Sequence, residues 1–418
     1  MLLNKTKYSK AAPEVTELIR NPEAPSGPVE LSIVVPAMNE KITVGEFVDW
    51  CREGLEKAGV SGQILIVDSS SDETPDIALS HGAEVLRTPK RGLGRAYIDS
   101  IPFIRGKWII MGDADLTYDF RQLAGFTDKF RDGFDFIMGS RFKGTIEDGA
   151  MPWLHQYFGT PLTTWMLNRI YGSHFSDIHC GMRGVTLQAF QRMRMRSQSW
   201  QYAPEMIIKS LHLRLRSTEV PIIFHKDREG RVSHYKRSGP FGAWHAGWMT
   251  LQALCTYGAD FFLFKPGLAL FGFGALGVAL LFSGPIQLGP LGLSLHWMLV
   301  FVLCTVVGFQ SALMGVLAKT IYDSEKTRSP NWRRFFTFNR SVLTSGTLLA
   351  IGCLSCAGLI ATYLQHGMRL EAIPSTPTYR AVAGVGIMLL AAINFTFGLV
   401  FNALMESTLP QGEAKVSG

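Results

Sequence analysis

Along the first 140 residues, short apolar runs closed by polar clusters alternate with segments of helical period. Leu31-Ser32-Ile33-Val34-Val35 is a β-branched run stopped by Pro36, the pattern of a strand buried on both faces of a parallel sheet. A helical pattern runs from about Ile42 to Lys57 and leads to a second strand, Ile64-Leu65-Ile66-Val67. A helix near Pro75–His81, a short strand at Val85-Leu86 and a helix opened by Arg91-Gly92-Leu93-Gly94 come next. Trp108-Ile109-Ile110-Met111 and Phe136-Ile137-Met138 are the fourth and fifth strands, and residues 13–30, with four Pro, read as an extended leader. This alternation predicts an α/β domain with a mostly parallel, Rossmann-like sheet. Such sheets bind ligands beyond the C-terminal ends of their strands.

The pattern changes from Phe264 onward. Four apolar stretches, at about 266–284, 295–317, 342–364 and 380–404, each approach the 20 residues needed to cross the hydrocarbon core, so an all-α transmembrane bundle of four helices is expected. The link between the second and third holds Lys319, Lys326, Arg328, Arg333, Arg334 and Arg340, whereas the other two links carry little positive charge beyond Arg369. The positive-inside rule places that link, and with an even number of spans both termini, in the cytosol. Met1–Thr16 carries three Lys and no apolar run, so it does not read as a signal peptide. Two further stretches suit the headgroup layer. Leu154, Phe158, Leu162, Trp165 and Met166 share a helical face opposite His155, Thr163 and Arg169, and Trp244, Trp248, Leu251 and Cys255 form a second stripe. The expected organisation is a leader (1–30), a cytosolic domain (31–240) with an interfacial helix at about 153–170, a second interfacial helix (241–263), the four-helix domain (264–405) and a tail (406–418). The setting is a plasma, inner or endoplasmic-reticulum membrane.

Composition adds limits. The formal charge of +7 is interleaved with carboxylates and matches the basic bias of cytosolic membrane loops; no aromatic nucleic-acid motif is present, so no nucleic-acid partner is expected. The six Cys show no CxxC…CxxC metal spacing and read as reduced thiols, with Cys353 and Cys356 packing inside an apolar helix.

The polar clusters carry the candidate chemistry. Asp113-Ala114-Asp115 follows the fourth strand; two carboxylates one residue apart at a strand end can converge on Mg²⁺ or Mn²⁺ and on a ribose hydroxyl. Pro36-Ala37-Met38-Asn39-Glu40 ends the first strand and Asp68-Ser69-Ser70-Ser71-Asp72 the second, offering acceptors to a base and a ribose. Asp72 and Ser71 serve equally as helix N-caps before Pro75.

Strand–PAMNE, strand–DSSSD, RGLG, strand–DAD and Gly139-Ser140-Arg141, in that order, resemble the family 2 glycosyltransferases of the GT-A fold. Ser176-Asp177-Ile178-His179-Cys180-Gly181-Met182-Arg183 is similar to the acceptor-side motif of polyprenyl-phosphate sugar transferases, relatives of the dolichol-phosphate glucose and mannose synthases. The resemblance spans about residues 31–240. It implies that Pro36, Asn39, Glu40 and Asp68 line the nucleotide pocket, that Asp113 faces the ribose or metal, and that Asp115 is the metal ligand. It further implies that Arg141 contacts the acceptor phosphate, that Asp177 lies near the attacking oxygen, and that Arg228, Arg231 and Lys236 close over the diphosphate.

The sequence departs from that pattern in two places. Thr117 stands where the mannose branch often has Gln, and His155 and Gln156 stand where basic residues often help hold the acceptor phosphate. Asp177 is open between an acceptor-orienting or proton-accepting role and a structural carboxylate, and Glu205 between a pocket role and a helix N-terminal charge. The implied reaction is inverting transfer of one sugar from a nucleotide diphosphate sugar to a polyprenyl or dolichyl phosphate at the cytosolic face. The His179–Arg183 stretch is closer to the glucose branch, which points to UDP-glucose, with GDP-mannose next. A processive polysaccharide synthase would carry a Gln-x-x-Arg-Trp motif, which is missing, and a scaffold or flippase with a degenerate domain would not need Asp113, Asp115 and Arg141. A homo-oligomer is compatible with the sequence.

Overall fold

The computed structural model of the chain describes residues 15–22, 27–228, 258–322, 332–365 and 375–407, with isolated positions at 230, 248, 251–252, 254–255 and 367–368. The chain divides into two compact units, Met1–Thr256 and Tyr257–Gly418.

The first unit is built on one sheet of eight strands: β1 (Glu17–Ile19), β2 (Val29–Ala37), β3 (Gly62–Asp68), β4 (Glu84–Arg87), β5 (Gly106–Met111), β6 (Phe136–Ile146), β7 (Arg183–Thr186) and β8 (Ser217–Phe224). Their order is β1-β4-β3-β2-β5-β7-β6-β8. β4, β3, β2 and β5 are parallel neighbours, β7 runs antiparallel to β5 and β6, and β8 is parallel to β6. Helices α1 (Val44–Ala58), α2 (Thr74–Ser80), α3 (Leu93–Ser100), α4 (Ala124–Arg131), α5 (Thr160–Tyr171), α6 (Leu187–Met193) and α7 (Tyr202–His212) connect the strands. The β-branched runs are the core: Leu31, Ile33, Val34, Val35, Leu65, Ile66, Ile109 and Ile110 have no exposed surface, and the Phe47 ring of α1 meets Phe120 edge-on at 4.8 Å. This is the mostly parallel GT-A sheet that the resemblance implies.

Four elements differ from the expected ones. The leader is not wholly irregular, because Glu17–Ile19 pairs antiparallel with β4 and covers that edge. The fifth predicted strand is much longer, reaching Ile146, and two strands, β7 and β8, have no counterpart in the periodicity. β7 is the four residues Arg183-Gly184-Val185-Thr186, too short for any period to show, and it is set by pairing with both neighbours.

The segment expected at 153–170 begins as one π-helical turn, His155–Gly159, and continues as α5. Its aromatic face is open: Trp153, Leu154, Tyr157, Phe158, Leu162 and Trp165 are all exposed, with Trp153 at 71%. The other face packs inward through Thr160, Thr164 and Leu167. Of the second interfacial stripe, Trp244 lies outside the described residues, whereas Trp248, Leu251 and Cys255 are exposed and Leu254 is buried.

Among its described residues the second unit has four helices long and apolar enough to cross a membrane, at Phe261–Leu281, Leu295–Ile321, Phe338–Gln365 and Ser375–Glu406. The last two start about four residues earlier than hydropathy alone placed them, because polar residues such as Asn339 and Thr376 extend the helices. Glycines let neighbours approach. A Cβ on Gly308 would lie 2.3 Å from Phe271 N, and one on Gly352 would lie 2.9 Å from Gly384 O. Asn394 clamps the third helix to the fourth by donating to the Oγ atoms of Thr344 and Ser345, each at 2.9 Å. A short hairpin, Ile286–Leu288 with Leu291–Leu293, caps the end where the first helix finishes.

Candidate active site

The polar clusters gather at one end of the sheet because each ends a parallel strand. Ala37 and Asp68 are register partners across β2 and β3, Asp68 and Arg87 across β3 and β4, and Val34 and Met111 across β2 and β5. Pro36 pairs with Val67 one step earlier.

Asp68 is fully buried and paired with Arg87, whose Nη1 also donates to Ser70 O at 3.1 Å. Burial pushes its carboxyl up, against the opposing pull of Ser70 and Arg87. Its Oδ1 is buried without a hydrogen-bond partner among the described residues. A buried unpaired acceptor is costly, and a base N–H would satisfy it. Asn39 holds a left-handed φ of 59°, and the turn is fixed by its N–H on Ser70 Oγ (2.7 Å) and by Ser71 N–H on its Oδ1 (3.0 Å). Glu40 is buried beside it, with its N–H on Thr74 Oγ1 at 2.9 Å. Asp72 accepts from the Thr74 N–H at 3.0 Å from one residue before the N-cap position of α2, which Glu73 rather than Asp72 or Ser71 holds.

Arg91-Gly92-Leu93-Gly94 packs against the loop before α7. Gly92 has φ 105°, and a Cβ there would lie 2.4 Å from Gln198 O, while one on Gly94 would lie 2.1 Å from Ser197 O. That loop is held by Glu205, which accepts from the N–H groups of Arg196 (3.0 Å) and Ser197 (2.8 Å) and pairs with Lys209 at 2.6 Å. The structure therefore makes Glu205 an anchor of the loop backbone. Against the effect of burial, Lys209 and Ser197 keep it below the usual carboxylate range.

Asp113 and Asp115 follow β5 and are half-buried. Asp115 Oδ1 accepts from the Thr117 N–H at 3.0 Å and from its hydroxyl, which orients the carboxylate. Thr117 thus replaces the expected Gln as a positioning contact. Gly181 is essential to the room beside Asp113, because a Cβ there would sit 2.7 Å from Asp113 Oδ2 and 3.1 Å from the Tyr118 hydroxyl. Two carboxylates beside such a gap fit Mg²⁺ or Mn²⁺, whose remaining ligands are commonly water and substrate phosphate. No cluster of three or more His, Cys, Asp or Glu occurs among the described residues.

Arg141, near the end of β6's buried half, is 8% exposed and forms a two-pronged pair with fully buried Asp177: Nε to Oδ2 at 2.6 Å and Nη2 to Oδ1 at 2.8 Å. The Arg141 N–H adds a third contact at 3.2 Å, and its guanidinium lies 5.1 Å from the Phe224 ring. Against burial, Arg141 holds Asp177 below the usual carboxylate range. Asp135 accepts from the Arg216 N–H at 3.3 Å. Both Asp177 oxygens accept from Arg141, which fixes the orientation of the buried carboxylate.

The acceptor-side motif links this pair to the aromatic face. His179 Nε2 meets Thr163 Oγ1 of α5 at 2.8 Å, and the Ile178 N–H reaches Thr164 Oγ1 at 3.5 Å. His155 is half-buried, and burial and then Arg141 lower its pKa; Gln156 sits next to it on the π turn. Arg183 closes the motif by donating to the carbonyls of Cys180 (2.8 Å), Ala203 (2.6 Å) and Ile178 (3.2 Å). Burial pushes the Cys180 thiol up to about 12, which leaves it a packing group rather than a nucleophile.

Arg228 does not join the carboxylate pair. It is paired with Glu46 of α1 and lies 5.9 Å from the Trp50 ring. Arg231 and Lys236 lie outside the described residues. Sequence reasoning missed Arg87, Tyr118 and the stacked pair Tyr97–Tyr202, 4.8 Å apart behind Gly112, whose carbonyl accepts from the Tyr97 hydroxyl at 3.1 Å. Only Arg87 left a signal, as a cation closing a strand beside an acidic strand end.

His179 gives a test by pH. Burial, and then Arg141, lower its pKa to about 4 in the folded chain, against an ordinary value of about 6.5. Between those values the unfolded chain binds the extra proton. The contribution to stability is therefore full above pH 6.5 and is lost as pH falls toward 4, amounting to about 2 kcal/mol between pH 7 and pH 5. His179→Gln should flatten that part of the melting-temperature profile; an unchanged profile would contradict the assignment.

A sequence profile of glycosyl transferase family 2 matches residues 32–194. A Haloferax volcanii protein named as a low-salt glycan biosynthesis hexosyltransferase is 32% identical over 398 residues, covering 94% of this chain and 92% of its own. A dolichyl-phosphate hexose transferase of the same organism is 26% identical over 49% of this chain and 86% of its own. An undecaprenyl-phosphate 4-deoxy-4-formamido-L-arabinose transferase of Salmonella paratyphi B is 24% identical over 49% of this chain and 62% of its own. With a full-length relative at this identity, and with the strand-end carboxylates placed as described, the chain belongs to glycosyl transferase family 2 and is a glycosyltransferase.

Proposed function

We propose that the protein transfers one hexose, with inversion, from a nucleotide diphosphate sugar to a polyprenyl phosphate at the cytosolic membrane face, with UDP-glucose the first donor to test and GDP-mannose the second. The observation that carries this reading is the connection from Arg141 through Asp177 and the 177–179 turn to α5, whose outer face is a patch of exposed aromatics. A phosphate on a lipid reaches an enzyme from the membrane surface, and exposed Trp and Tyr next to apolar side chains suit the headgroup layer. Two relatives are named as transferases of dolichyl and undecaprenyl phosphates, which supports the same acceptor class.

In this reading Asp68 receives the base N–H, with Asn39 and Glu40 shaping the pocket wall. Asp113 and Asp115 would hold Mg²⁺ or Mn²⁺, which neutralises the diphosphate as it leaves. Arg141 offers Nη1, which makes no hydrogen bond among the described residues, to an acceptor oxygen while Asp177 fixes the guanidinium plane. A phosphate monoester is already anionic near neutral pH. The site's task is therefore positioning and charge balance rather than strong base catalysis.

The test is a panel of labelled nucleotide sugars with the purified protein and polyprenyl phosphate. A single labelled hexose on the lipid supports the reading; label in a growing polymer, or none in lipid, overturns it. Membrane orientation is checked separately. Reporter fusions after Gly289, in the hairpin, and after Lys326, in the basic link, are expected on opposite sides, with Lys326 cytosolic. Two fusions on one side would break the four-span topology.

A further inference from the structure

Within its apolar helices the membrane unit carries a cation that the sugar-transfer reading does not use. Across residues 266–318, 341–365 and 375–407, Arg380 is the only Lys or Arg. It is the sixth residue of the helix Ser375–Ser407, about 8 Å along the axis from its start at 1.5 Å per residue. That start lies at the end of the unit capped by the Ile286–Leu293 hairpin, opposite the end where the chain enters at Lys265. Thr376 fixes it there by donating to Ser283 O at 2.9 Å.

Arg380 lines a cavity of about 310 Å³ with Phe282, Ile351, Leu354, Ser355 and Gly358. The last four are spaced i, i+3, i+4 and i+7 and form one face of the helix Phe338–Gln365. That face is open, with Leu354 75% exposed. Arg380 has no carboxylate partner among the described residues; its one contact is the Phe282 ring, 5.6 Å from the guanidinium. The Ser355 hydroxyl is already spent on Ile351 O at 2.9 Å. An arginine near the end of an apolar span reaches toward the headgroup layer, where an anionic group is its complement. Here the guanidinium lies over a hollow with apolar walls on a lipid-facing helix. The complementary ligand has an anionic head and an apolar tail.

We propose that this cavity binds an anionic phospholipid of the leaflet at the hairpin end, with its phosphate on Arg380 and an acyl chain along Ile351, Leu354 and Phe282. The proposal does not depend on the sugar-transfer reading. A water-soluble anion would leave the apolar wall unused, and an uncharged lipid would leave the guanidinium unpaired.

The experiment uses full-length protein in a non-ionic detergent with added phosphatidylglycerol, phosphatidylcholine, polyprenyl phosphate or inorganic phosphate. Melting temperature and lipid retained in native mass spectra are the readouts. Phosphatidylglycerol should raise the melting temperature by several degrees and be retained as one bound molecule, and the other three should do neither. Arg380→Ala should weaken that binding about tenfold or more. Gly358→Leu should do the same by filling the cavity, and it should fold, because a Cβ at Gly358 meets nothing within 4 Å. Equal phosphatidylglycerol binding by both variants and the wild type would overturn the site. An equal effect of inorganic phosphate, phosphatidylcholine or polyprenyl phosphate would overturn the choice of ligand.

Discussion

Arg141→Ala is expected to lose transfer to lipid by about a hundredfold or more, a loss of roughly 3 kcal/mol of transition-state stabilisation, while retaining nucleotide-sugar binding. The structure adds a second consequence. Removing the guanidinium leaves Asp177, fully buried, without its counter-charge, which costs about 3–5 kcal/mol of stability. A fall in activity alone would therefore mix two causes. The double variant Arg141→Met/Asp177→Leu separates them, because replacing a buried pair by apolar groups is often neutral for stability. It should recover the melting temperature and remain unable to transfer sugar. Arg141→Lys should recover only part of the rate, since an ammonium cannot meet both Asp177 oxygens and a phosphate in one plane. Recovery of full transfer in the double variant would make Arg141 purely structural.

Asp115→Ala is expected to reduce transfer by several kcal/mol of barrier, on the order of a thousandfold, with the melting temperature nearly unchanged. The asymmetry follows from its position. Asp115 is half-buried at a strand end, and its Oδ1 accepts from Thr117 two residues on, so its truncation opens no cavity in the closed core. EDTA should reproduce the loss in the wild type, and Mn²⁺ binding in the presence of UDP, followed by calorimetry, should vanish in the variant. Full activity in EDTA would remove the metal assignment for both Asp113 and Asp115.

The readable parts of this chain were those where local chemistry and tertiary position coincide. Val34-Val35-Pro36 and Trp108–Met111 announce buried parallel strands, and a carboxylate directly after such a strand must stand at the sheet's C-terminal edge, so Asp68, Asp113 and Asp115 were legible. The four spans were legible from length and hydropathy alone. Asp177 was not, because its partner is 36 residues away and a spacing of that kind says nothing of burial. Nor was β7, whose four residues become a strand only when β5 and β6 are present on either side. The partner of Arg228 was not legible either, because Glu46 lies 182 residues earlier in the chain. Thr117 looked like a missing ligand and is instead the group that orients Asp115.

The central claim is that the acceptor is a lipid phosphate. It is tested most directly by giving the purified full-length protein UDP-glucose and GDP-mannose in turn, each with Mg²⁺ or Mn²⁺, and a polyprenyl phosphate or the matching polyprenol, and weighing the organic-phase products by mass spectrometry. The expected result is one added hexose on the polyprenyl phosphate with one of the two donors and none on the polyprenol. Equal transfer to both lipids, or a product carrying a chain of sugars, would contradict it.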